Sequence, residues 1–369
     1  MRYRKIVIKI GTSVIASTST FLLDRSRMRS LVDQVSKLMK KGHQVVLVSS
    51  GAIGAGMGLL GLKKRPKSLP DLQACAAVGQ GQLMKIYGQL FKKEGYLTAQ
   101  MLLTQEDMDA RLRFLNAKNT LMSIIDRSII PIINENDTVS TDEIRFGDND
   151  RLSALVADMS EADLLILLSD VDNLFRFDES GKKPVETIYE VREITKDLEA
   201  LVVKGAGCLG VGGMATKIDA AKVVTSSGIP CVIASGRRKD ILAKILSDQK
   251  VGTRFFAKEK RTVARKRWIA HFSRAQGIVK VDAGAKSALI ERGKSLLAKG
   301  VTGISGRFET GDVIRIADTA GHEFARGLSN YSSSEIHKIQ GKHTSQIEEI
   351  LGYKDYDEVI HRDNLVLLT

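Results

Sequence analysis

The chain contains few of the residues that build disulfide frameworks and metal centres. Its three cysteines, Cys75, Cys208 and Cys231, are widely spaced, and its six histidines show no metal-ligand spacing. Neither a disulfide framework nor a zinc site is predicted, which favours a reducing, cytoplasmic location. No apolar run approaches the roughly 20 residues that cross a bilayer, and the apolar segment at residues 6–10 is too short for a signal peptide. We therefore expect no association with a membrane.

Basic residues outnumber acidic ones, and one segment carries much of the excess. The chain has 56 Lys and Arg against 43 Asp and Glu, a formal net charge of +13. Residues 254–280 hold nine basic side chains and one acidic side chain, Glu259. Two interpretations of this segment stay open, an RNA-facing surface and a solvated linker that aids solubility.

Most of the chain has the pattern of an α/β domain. Up to about residue 255, short apolar runs alternate with amphipathic stretches, which predicts a mainly parallel sheet sandwiched by helices. Asp24 and Gly42 mark the ends of one helix, and others are expected to begin near Thr104 and after Asn149. The predicted strands are 6–10, 45–48, 99–103, 129–133, 164–168 and 231–234.

The pattern changes after the basic segment. From Gly277 onward, short apolar strands are interrupted by glycine, which indicates a small β-rich module followed by a helix at about residues 334–339. The predicted organisation is an α/β domain at 1–258, a basic linker at 259–275, a β-rich domain at 276–356 and a C-terminal tail at 357–369.

Small, hydroxylated and acidic residues follow four of the predicted strands at the point where each ends. The carboxyl ends of parallel strands meet at one edge of an open sheet, and ligands bind there. We therefore expect a ligand site at this edge. The segments concerned are Gly11–Ser13, Ser49–Ala52, Asn134–Asp137 and Ser169–Asp170.

The segment from Ile133 to Asp150 is the most unusual part of this edge. It contains six carboxylates and one basic side chain, although the chain as a whole is basic. It follows an apolar strand directly and mixes Asn with Asp, as a site does when it binds an ammonium group and a carboxylate together. A solvated acidic loop is the alternative, and a ligand site is favoured over it.

Two further features favour phosphate binding. The glycine-rich residues 205–217 run into an amphipathic helix, where backbone N–H groups suit phosphate oxygens and Lys217 is expected in the first turn. Lys9 interrupts an apolar strand. For residues 205–217 the alternative is a flexible surface loop, and for Lys9 it is an edge-strand lysine. No P-loop motif is present, and the pattern Gly56-x-Gly58-x-x-Gly61 lies too far beyond its strand for a dinucleotide fingerprint.

Lysines, glycine-rich turns and carboxylates at one edge predict phosphoryl transfer, in which catalysis rests on positioning and charge neutralisation with Mg²⁺ bridging the phosphates. A carboxylate acceptor, with an ordinary pKa of about 4.3, is already ionised at neutral pH, so that no general base is needed. The sequence offers no candidate catalytic histidine, which agrees with this prediction.

At this point eight motifs, taken in order, resemble those of the glutamate 5-kinases, a branch of the amino acid kinase family with an appended PUA domain. The resemblance covers essentially the whole chain, including Gly293–Gly300 and Gly311–Ile316 in the β-rich part. It implies phosphorylation of the L-glutamate γ-carboxylate by ATP with Mg²⁺, the first step of proline biosynthesis. The motifs are Lys9–Ser13, Ser49–Ala52, Ala77–Gln80, Gln100–Thr104, Phe114–Ala117, Ile133–Asp137, Phe146–Asp150 and Gly212–Lys217.

The resemblance also implies roles in the transfer step for individual positions. Lys9 and Lys217 would contact the ATP phosphates and stabilise the transferring phosphoryl group, and Asp150 would organise the reacting centre. The metal ligands are not implied. The ATP site would be lined by Lys9, Ser169, Asp170, Val211, Gly212, Gly213, Met214, Ala215, Thr216 and Lys217.

For the acceptor, the resemblance implies that Ser50, Asp137 and Asn149 bind glutamate and that Asp148 helps to hold its ammonium group. It further implies inhibition by free proline, a homo-oligomer of two or four chains, and handover of the acyl phosphate to glutamyl phosphate reductase. Val211 replaces a threonine common among relatives, which bears on nucleotide affinity rather than on the reaction.

Two alternatives stay open. Carbamate, acetylglutamate, aspartate and uridylate kinases belong to the same family, and the paired N-E-N-D and G-D-N-D motifs favour glutamate over their substrates. An RNA-binding protein with a vestigial kinase part is the alternative from another class, since PUA domains elsewhere bind RNA. The β-rich part lacks an evident aromatic stacking platform, so RNA is a minor alternative partner.

Overall fold

The chain divides into two compact units, Met1–Lys258 and Glu259–Thr369. The structure, a computed structural model, describes residues 2–17, 20–109, 111–140, 149–177, 184–195, 198, 213–257 and 275–368. No helix within these ranges is long and apolar enough to cross a membrane.

The first unit is built on one large sheet in which parallel pairing dominates. Its strands are β1 (Lys5–Ile10), β2 (Gln44–Ser49), β3 (Thr98–Leu103), β4 (Ile130–Glu135), β5 (Leu164–Ser169), β6 (Leu174–Phe177), β7 (Pro184–Ile188), β8 (Glu190–Val191), β9 (Cys231–Ser235) and β10 (Thr253–Phe255). Eight of them pair in the order β3-β4-β2-β1-β5-β9-β10-β8. Only β9 and β10 pair antiparallel in this sheet, and β6 and β7 form a separate hairpin.

Helices cover both faces of this sheet. They are α1 (Thr12–Ile15), α2 (Arg25–Lys40), α3 (Ala52–Leu59), α4 (Leu69–Lys93), α5 (Gln105–Asp109), α6 (Arg111–Asp126), α7 (Asp150–Met159), α8 (Gly213–Ser226) and α9 (Ile241–Leu246). One core contains residues of α2, α4 and α9, and the other contains residues of α6, α7 and α8. Because strand side chains alternate, Ile8 of β1 joins the first core and Val7 joins the second. Lys9 lies two residues after Val7, so its side chain is on the same face of the sheet and faces α7 and α8.

The predicted fold class is confirmed, and all six predicted strands are present with ends that differ by at most two residues. Asp24 caps α2 as predicted, because its Oδ1 accepts from the amides of Ser26 and Arg27 at 3.0 and 3.1 Å. Before α5, Asp107 Oδ2 accepts from the Thr104 amide at 2.8 Å, and Thr104 Oγ1 accepts from the Asp107 amide at 3.3 Å. These reciprocal bonds form a capping box.

Helices α3 and α4 are absent from the sequence-based prediction, and their crossing explains the glycine-rich segment. A Cβ on Gly56 would lie 1.8 Å from the carbonyl oxygen of Cys75, and one on Gly79 would lie 1.8 Å from that of Ala52. Only glycine lets two backbones approach so closely. The first glycine of the Gly56-x-Gly58-x-x-Gly61 pattern therefore serves helix packing.

The second unit contains a smaller, mainly antiparallel sheet. Its strands are β11 (Gly277–Val281), β12 (Val301–Gly306), β13 (Val313–Ala317), β14 (Glu323–Leu328) and β15 (Leu365–Leu367). They lie in the order β12-β11-β13-β14-β15, and only β11 and β13 are parallel. A separate core joins this sheet to α10 (Ala283–Ile290), α11 (Ser333–Ile339) and α12 (Ile347–Leu351).

The prediction of a C-terminal tail at 357–369 is wrong for much of that segment. Val359 and Ile360 are fully buried in the core of the second unit, and β15 pairs with β14. A strand of three residues is too short to show a period in sequence, so its pairing partner alone reveals it. The predicted basic linker falls on residues that the structure does not describe, apart from residue 275.

Candidate active site

Lys9 lies at the carboxyl end of a central strand of the large sheet. It is in register with Val48 of β2 and Leu167 of β5, so Ser49 and Ser169 end the neighbouring strands at nearly the same level. Because β1 lies between β2 and β5, the alternative of an edge-strand lysine is wrong. The side chain is 1% exposed, which places a charged group inside the sheet–helix core.

Lys9, Asp150 and Lys217 form a buried charged cluster. Nζ of Lys9 lies 2.6 Å from Oδ1 of Asp150, and Nζ of Lys217 lies 3.1 Å from Oδ2 of the same carboxylate. Oγ1 of Thr216 donates to that Oδ2 at 3.0 Å. Asp150 is fully buried, and Lys217 is 6% exposed. One carboxylate thus contacts both of the lysines predicted for phosphate binding.

Each member of this cluster is positioned by a different element. Strand alternation turns Lys9 toward α7 and α8, and Asp150 is the first residue of α7. Lys217 is the fifth residue of α8, so it begins the second turn rather than lying in the first turn as predicted. Helical side chains point toward the helix N-terminus, and Nζ of Lys217 accordingly reaches back to donate to the Gly213 carbonyl at 2.7 Å.

The three charges sum to +1 in a buried environment. Two ammonium groups that face each other in a medium of low dielectric repel, and the carboxylate of Asp150 between them offsets this repulsion. A second anion that reaches Lys9 and Lys217 would be attracted more strongly than in water. The cluster can therefore neutralise the charge of a transferring phosphoryl group.

Ser50 lies in the tight turn between β2 and α3. Gly51 has a φ of 103°, in the left-handed region that favours glycine, and it directly precedes α3 as its N-cap residue. Oγ of Ser50 is buried and has no hydrogen-bond partner among the residues that the structure describes. A buried hydroxyl without a partner is costly, which is typical of a group that a bound ligand satisfies.

Asn149 is held by a chain of buried side-chain amides. Its Nδ2 donates to the Ser49 carbonyl at 2.9 Å and to Oδ1 of Asn134 at 2.6 Å. Nδ2 of Asn134 in turn donates to Oε1 of Gln80 in α4 at 2.7 Å. Neither Asn134 nor Gln80 was predicted from sequence to have a role of its own. The signal for Asn134 was available, because it is a polar residue that directly follows the apolar run at 129–133.

The remaining predicted residues lie at the same strand ends or outside the described ranges. Asp137 is half-buried and follows β4 by two residues. Ser169 is buried, and its Oγ accepts from the Val171 amide at 3.2 Å, whereas Asp170 is exposed. Gly213–Ala215 form the first turn of α8. The predicted residues outside the described part are Asp148, Val211 and Gly212.

Cys231 in β9 is not suited to nucleophilic chemistry. Burial, and to a lesser extent the charge of Asp150, raises the pKa of its thiol, so that the thiolate does not form at neutral pH. Within the described part of the chain, no three His, Cys, Asp or Glu side chains are grouped so as to hold a metal ion.

Comparisons with known proteins identify the family. The model of the amino acid kinase family matches residues 4–235, and that of the PUA domain matches residues 277–351. Glutamate 5-kinase from Moorella thermoacetica is 48% identical over 99% of this chain and 96% of its own. Glutamate 5-kinases from Caldanaerobacter subterraneus and Carboxydothermus hydrogenoformans are 48% and 46% identical, each over 99% of this chain and 98% of its own. The chain therefore belongs to the glutamate 5-kinases of the amino acid kinase family and carries a PUA domain.

Proposed function

We propose that this kinase transfers the γ-phosphoryl group of ATP to the γ-carboxylate of L-glutamate, giving L-glutamyl 5-phosphate and ADP. The observation that carries the proposal is the buried cluster in which Asp150 contacts both Lys9 and Lys217. The name shared by the relatives, which match 99% of this chain, supports glutamate as the acceptor.

The geometry of the cluster suits the chemistry of an anionic acceptor. A γ-carboxylate is ionised at neutral pH and attacks without a general base, so the main obstacle is repulsion between two anions. A bond forms between a carboxylate oxygen and the γ-phosphorus while the bond to the β-phosphate oxygen breaks, and ADP leaves with that electron pair. The ammonium groups of Lys9 and Lys217 neutralise the negative charge on the transferring group, and Asp150 holds them in place.

The residues at this edge also fit Mg²⁺ that arrives with ATP. Mg²⁺ usually takes one or two protein carboxylates, while phosphate and water supply the other ligands. Asp170 follows β5 directly and has an exposed carboxylate, and Ser169 beside it is buried. Bound there, the metal would supply further neutralisation of the phosphate oxygens. We accordingly place the nucleotide along β5 and the start of α8.

Ser50, Asp137 and Asn149 are the described residues that we propose for glutamate binding, with Asp148 as a further contact. The hydroxyl of Ser50, which has no hydrogen-bond partner among the described residues, supports this assignment. We further propose that the reaction takes place in the cytoplasm as the first step of proline biosynthesis and that proline inhibits it. The product is proposed to pass to glutamyl phosphate reductase. The enzyme is proposed to be a dimer or tetramer. RNA binding stays a prediction, because most of the basic segment lies outside the described residues.

Trapping the acyl phosphate with hydroxylamine tests the reaction. The full-length protein is incubated with ATP, Mg²⁺ and one carboxylic acid from a panel of amino acids, with and without proline. We expect a hydroxamate from glutamate and a lower yield when proline is added. A hydroxamate from another acid, with none from glutamate, would show that the substrate assignment is wrong. An unchanged yield in the presence of proline would remove only the inhibition from the proposal.

A further inference from the structure

Gln80, Asn134 and Asn149 form a continuous hydrogen-bonded chain inside the first unit. Their residues are 8%, 2% and 5% exposed, so water does not compete freely for their amide groups. The two links measure 2.7 Å between Gln80 and Asn134 and 2.6 Å between Asn134 and Asn149. The chain joins α4 to the end of β4 and to the residue that precedes α7.

Backbone groups at two points fix the polarity of this chain. The Ser49 carbonyl can only accept, so the amide of Asn149 must turn Nδ2 toward it, at 2.9 Å. The Glu135 amide can only donate, so Asn134 must turn Oδ1 toward it, also at 2.9 Å. Nδ2 of Asn134 then needs an acceptor, and Oε1 of Gln80 supplies it. A flip of any one amide would set two donors or two acceptors against each other.

This polarity decides which atom Asn149 offers to a ligand. Both hydrogens of its Nδ2 are used, one by the Ser49 carbonyl and one by Asn134. Its Oδ1 makes no hydrogen bond to any described residue and is therefore the atom left for a substrate. A carbonyl oxygen accepts from an ammonium group and repels a carboxylate. Asn149 is thus prepared for the ammonium end of an amino acid.

We propose that Gln80 is a positioning residue for substrate specificity: through Asn134, it holds Asn149 with its carbonyl oxygen toward the α-ammonium group of the acceptor. This inference rests on the proposed function, since it assigns one end of glutamate to one atom of the site. Nε2 of Gln80 has no partner among the described residues, so its oxygen alone carries the effect.

The decisive variant is Gln80→Met, which keeps the approximate shape of the side chain and removes the acceptor. Glutarate, which has both carboxylates of glutamate but no ammonium group, serves as the probe. The quantity measured is the inhibition constant of glutarate divided by the KM for glutamate. We expect this ratio to fall about tenfold, the effect of one hydrogen bond to a charged group, while the KM for ATP stays unchanged.

Two matched variants distinguish positioning from general damage to the helix. Gln80→Glu keeps an acceptor oxygen opposite Asn134 and replaces Nε2, which has no partner among the described residues, with a carboxylate oxygen. The added negative charge attracts an ammonium group and repels glutarate, so the ratio should not fall below that of the unchanged protein. Gln89→Met changes an exposed residue of the same helix and should leave the ratio and both KM values unaltered.

A double variant tests whether Gln80 acts through Asn134. Asn134→Ala alone should lower the ratio of the glutarate inhibition constant to the KM for glutamate. This variant also provides a test if Gln80→Met does not fold. Adding Gln80→Met to Asn134→Ala should change the ratio by less than about twofold, because the link is already broken. If the unchanged protein phosphorylates glutamate and Gln80→Met keeps the full ratio, the positioning role is overturned while the proposed function stands. An equal rise in the KM values for glutamate and for ATP in Gln80→Met would also overturn the positioning role.

Discussion

The two units of this protein treat charge in opposite ways. At the carboxyl edge of the large sheet, Lys9 and Lys217 lie inside the protein and share one fully buried carboxylate. In the second unit, the described charged pairs lie toward solvent; the side chains of Lys286 and Asp318, for example, are 37% and 17% exposed. Apart from Tyr331, the polar residues described there that are buried as a whole are Ser329 and Ser332.

Under the proposed function, this difference separates charges that serve chemistry from charges that only face solvent. Removing an ion from water costs several kcal/mol, and a buried pair is often no more stable than apolar residues of the same volume. A fold that needed only stability would have little use for two buried lysines beside one carboxylate. Under the proposed function, the two lysines at the sheet edge neutralise an anion, and the exposed pairs of the second unit have no such role.

The largest effect should follow from loss of one buried ammonium group. In Lys9→Met, the transferring phosphoryl group loses a cation in a water-poor site, and we expect kcat to fall by about 10²–10³. The fold should persist, because Asp150 keeps its contact with Lys217 at 3.1 Å. Steady-state kinetics with glutamate and ATP, together with thermal unfolding, measures both quantities.

Lys286→Met provides the matched change in the second unit. It removes the same side chain from a pair that lies 2.9 Å apart but is open to solvent. We expect kcat to stay unaltered, because Lys286 is not among the residues proposed for phosphoryl transfer. The contrast between the units would fail if both variants lost activity to a similar degree, or if Lys9→Met were fully active.

A smaller effect on activity should follow from changes in the helices that pack beside the carboxyl edge of the large sheet. Gly79→Ala would place a Cβ 1.8 Å from the Ala52 carbonyl and push α4 away from the start of α3, beside Ser50. We expect a loss of about 1–3 kcal/mol in the free energy of unfolding and a raised KM for glutamate. Chemical denaturation and kinetics measure these changes.

Gly81→Ala is the control on the same helix. A Cβ at Gly81 would meet nothing within 4 Å, and alanine favours the helical backbone by up to about 1 kcal/mol. The variant should be as active as the unchanged protein and at least as stable. Equal destabilisation by Gly79→Ala and Gly81→Ala would contradict the close crossing of α3 and α4.

The carboxyl edge of the large sheet, with its charged residues, was the part of the molecule that could best be predicted from sequence. A lysine in an apolar strand and small polar residues after four strands follow from local pattern, and the parallel sheet brings strand ends together. The pattern could not decide which carboxylate contacts the lysines, because six of them fall in one segment. Only the resemblance singled out Asp150, which the structure places between Lys9 and Lys217.

Features that depend on distant pairing were not predictable in this way. The bond between Gln80 and Asn134 joins residues 54 apart in the chain, and nothing near Gln80 in sequence reveals its partner. Gly79 lowers the helix propensity of α4, although the crossing with α3 requires a glycine at this position. The three residues of β15 become a strand only by pairing with β14.

The smallest predicted effect concerns pH and the exposed pair of the second unit. A hydrogen bond from Lys286 and, second, one from the His322 amide lower the pKa of Asp318 from 3.8 to about 2. Because the pKa is lower in the folded state, the carboxylate favours folding above pH 3.8, and this contribution is lost as the pH falls toward 2. The difference in stability between the unchanged protein and Asp318→Asn should therefore be constant near neutrality and shrink through that range.

Lys286→Met shows whether the pair is the cause of this pH dependence. Without the ammonium group, the pKa of Asp318 should move back toward its ordinary value, so that adding Asp318→Asn to Lys286→Met gives a smaller and flatter difference across the same pH range. Urea unfolding of the four full-length proteins at several pH values measures it. If the difference grew as the pH fell, Asp318 would be destabilising when charged. The exposed carboxylate would then be destabilising, as an unpaired buried charge is. The contrast between buried charges in the first unit and exposed pairs in the second would lose its basis.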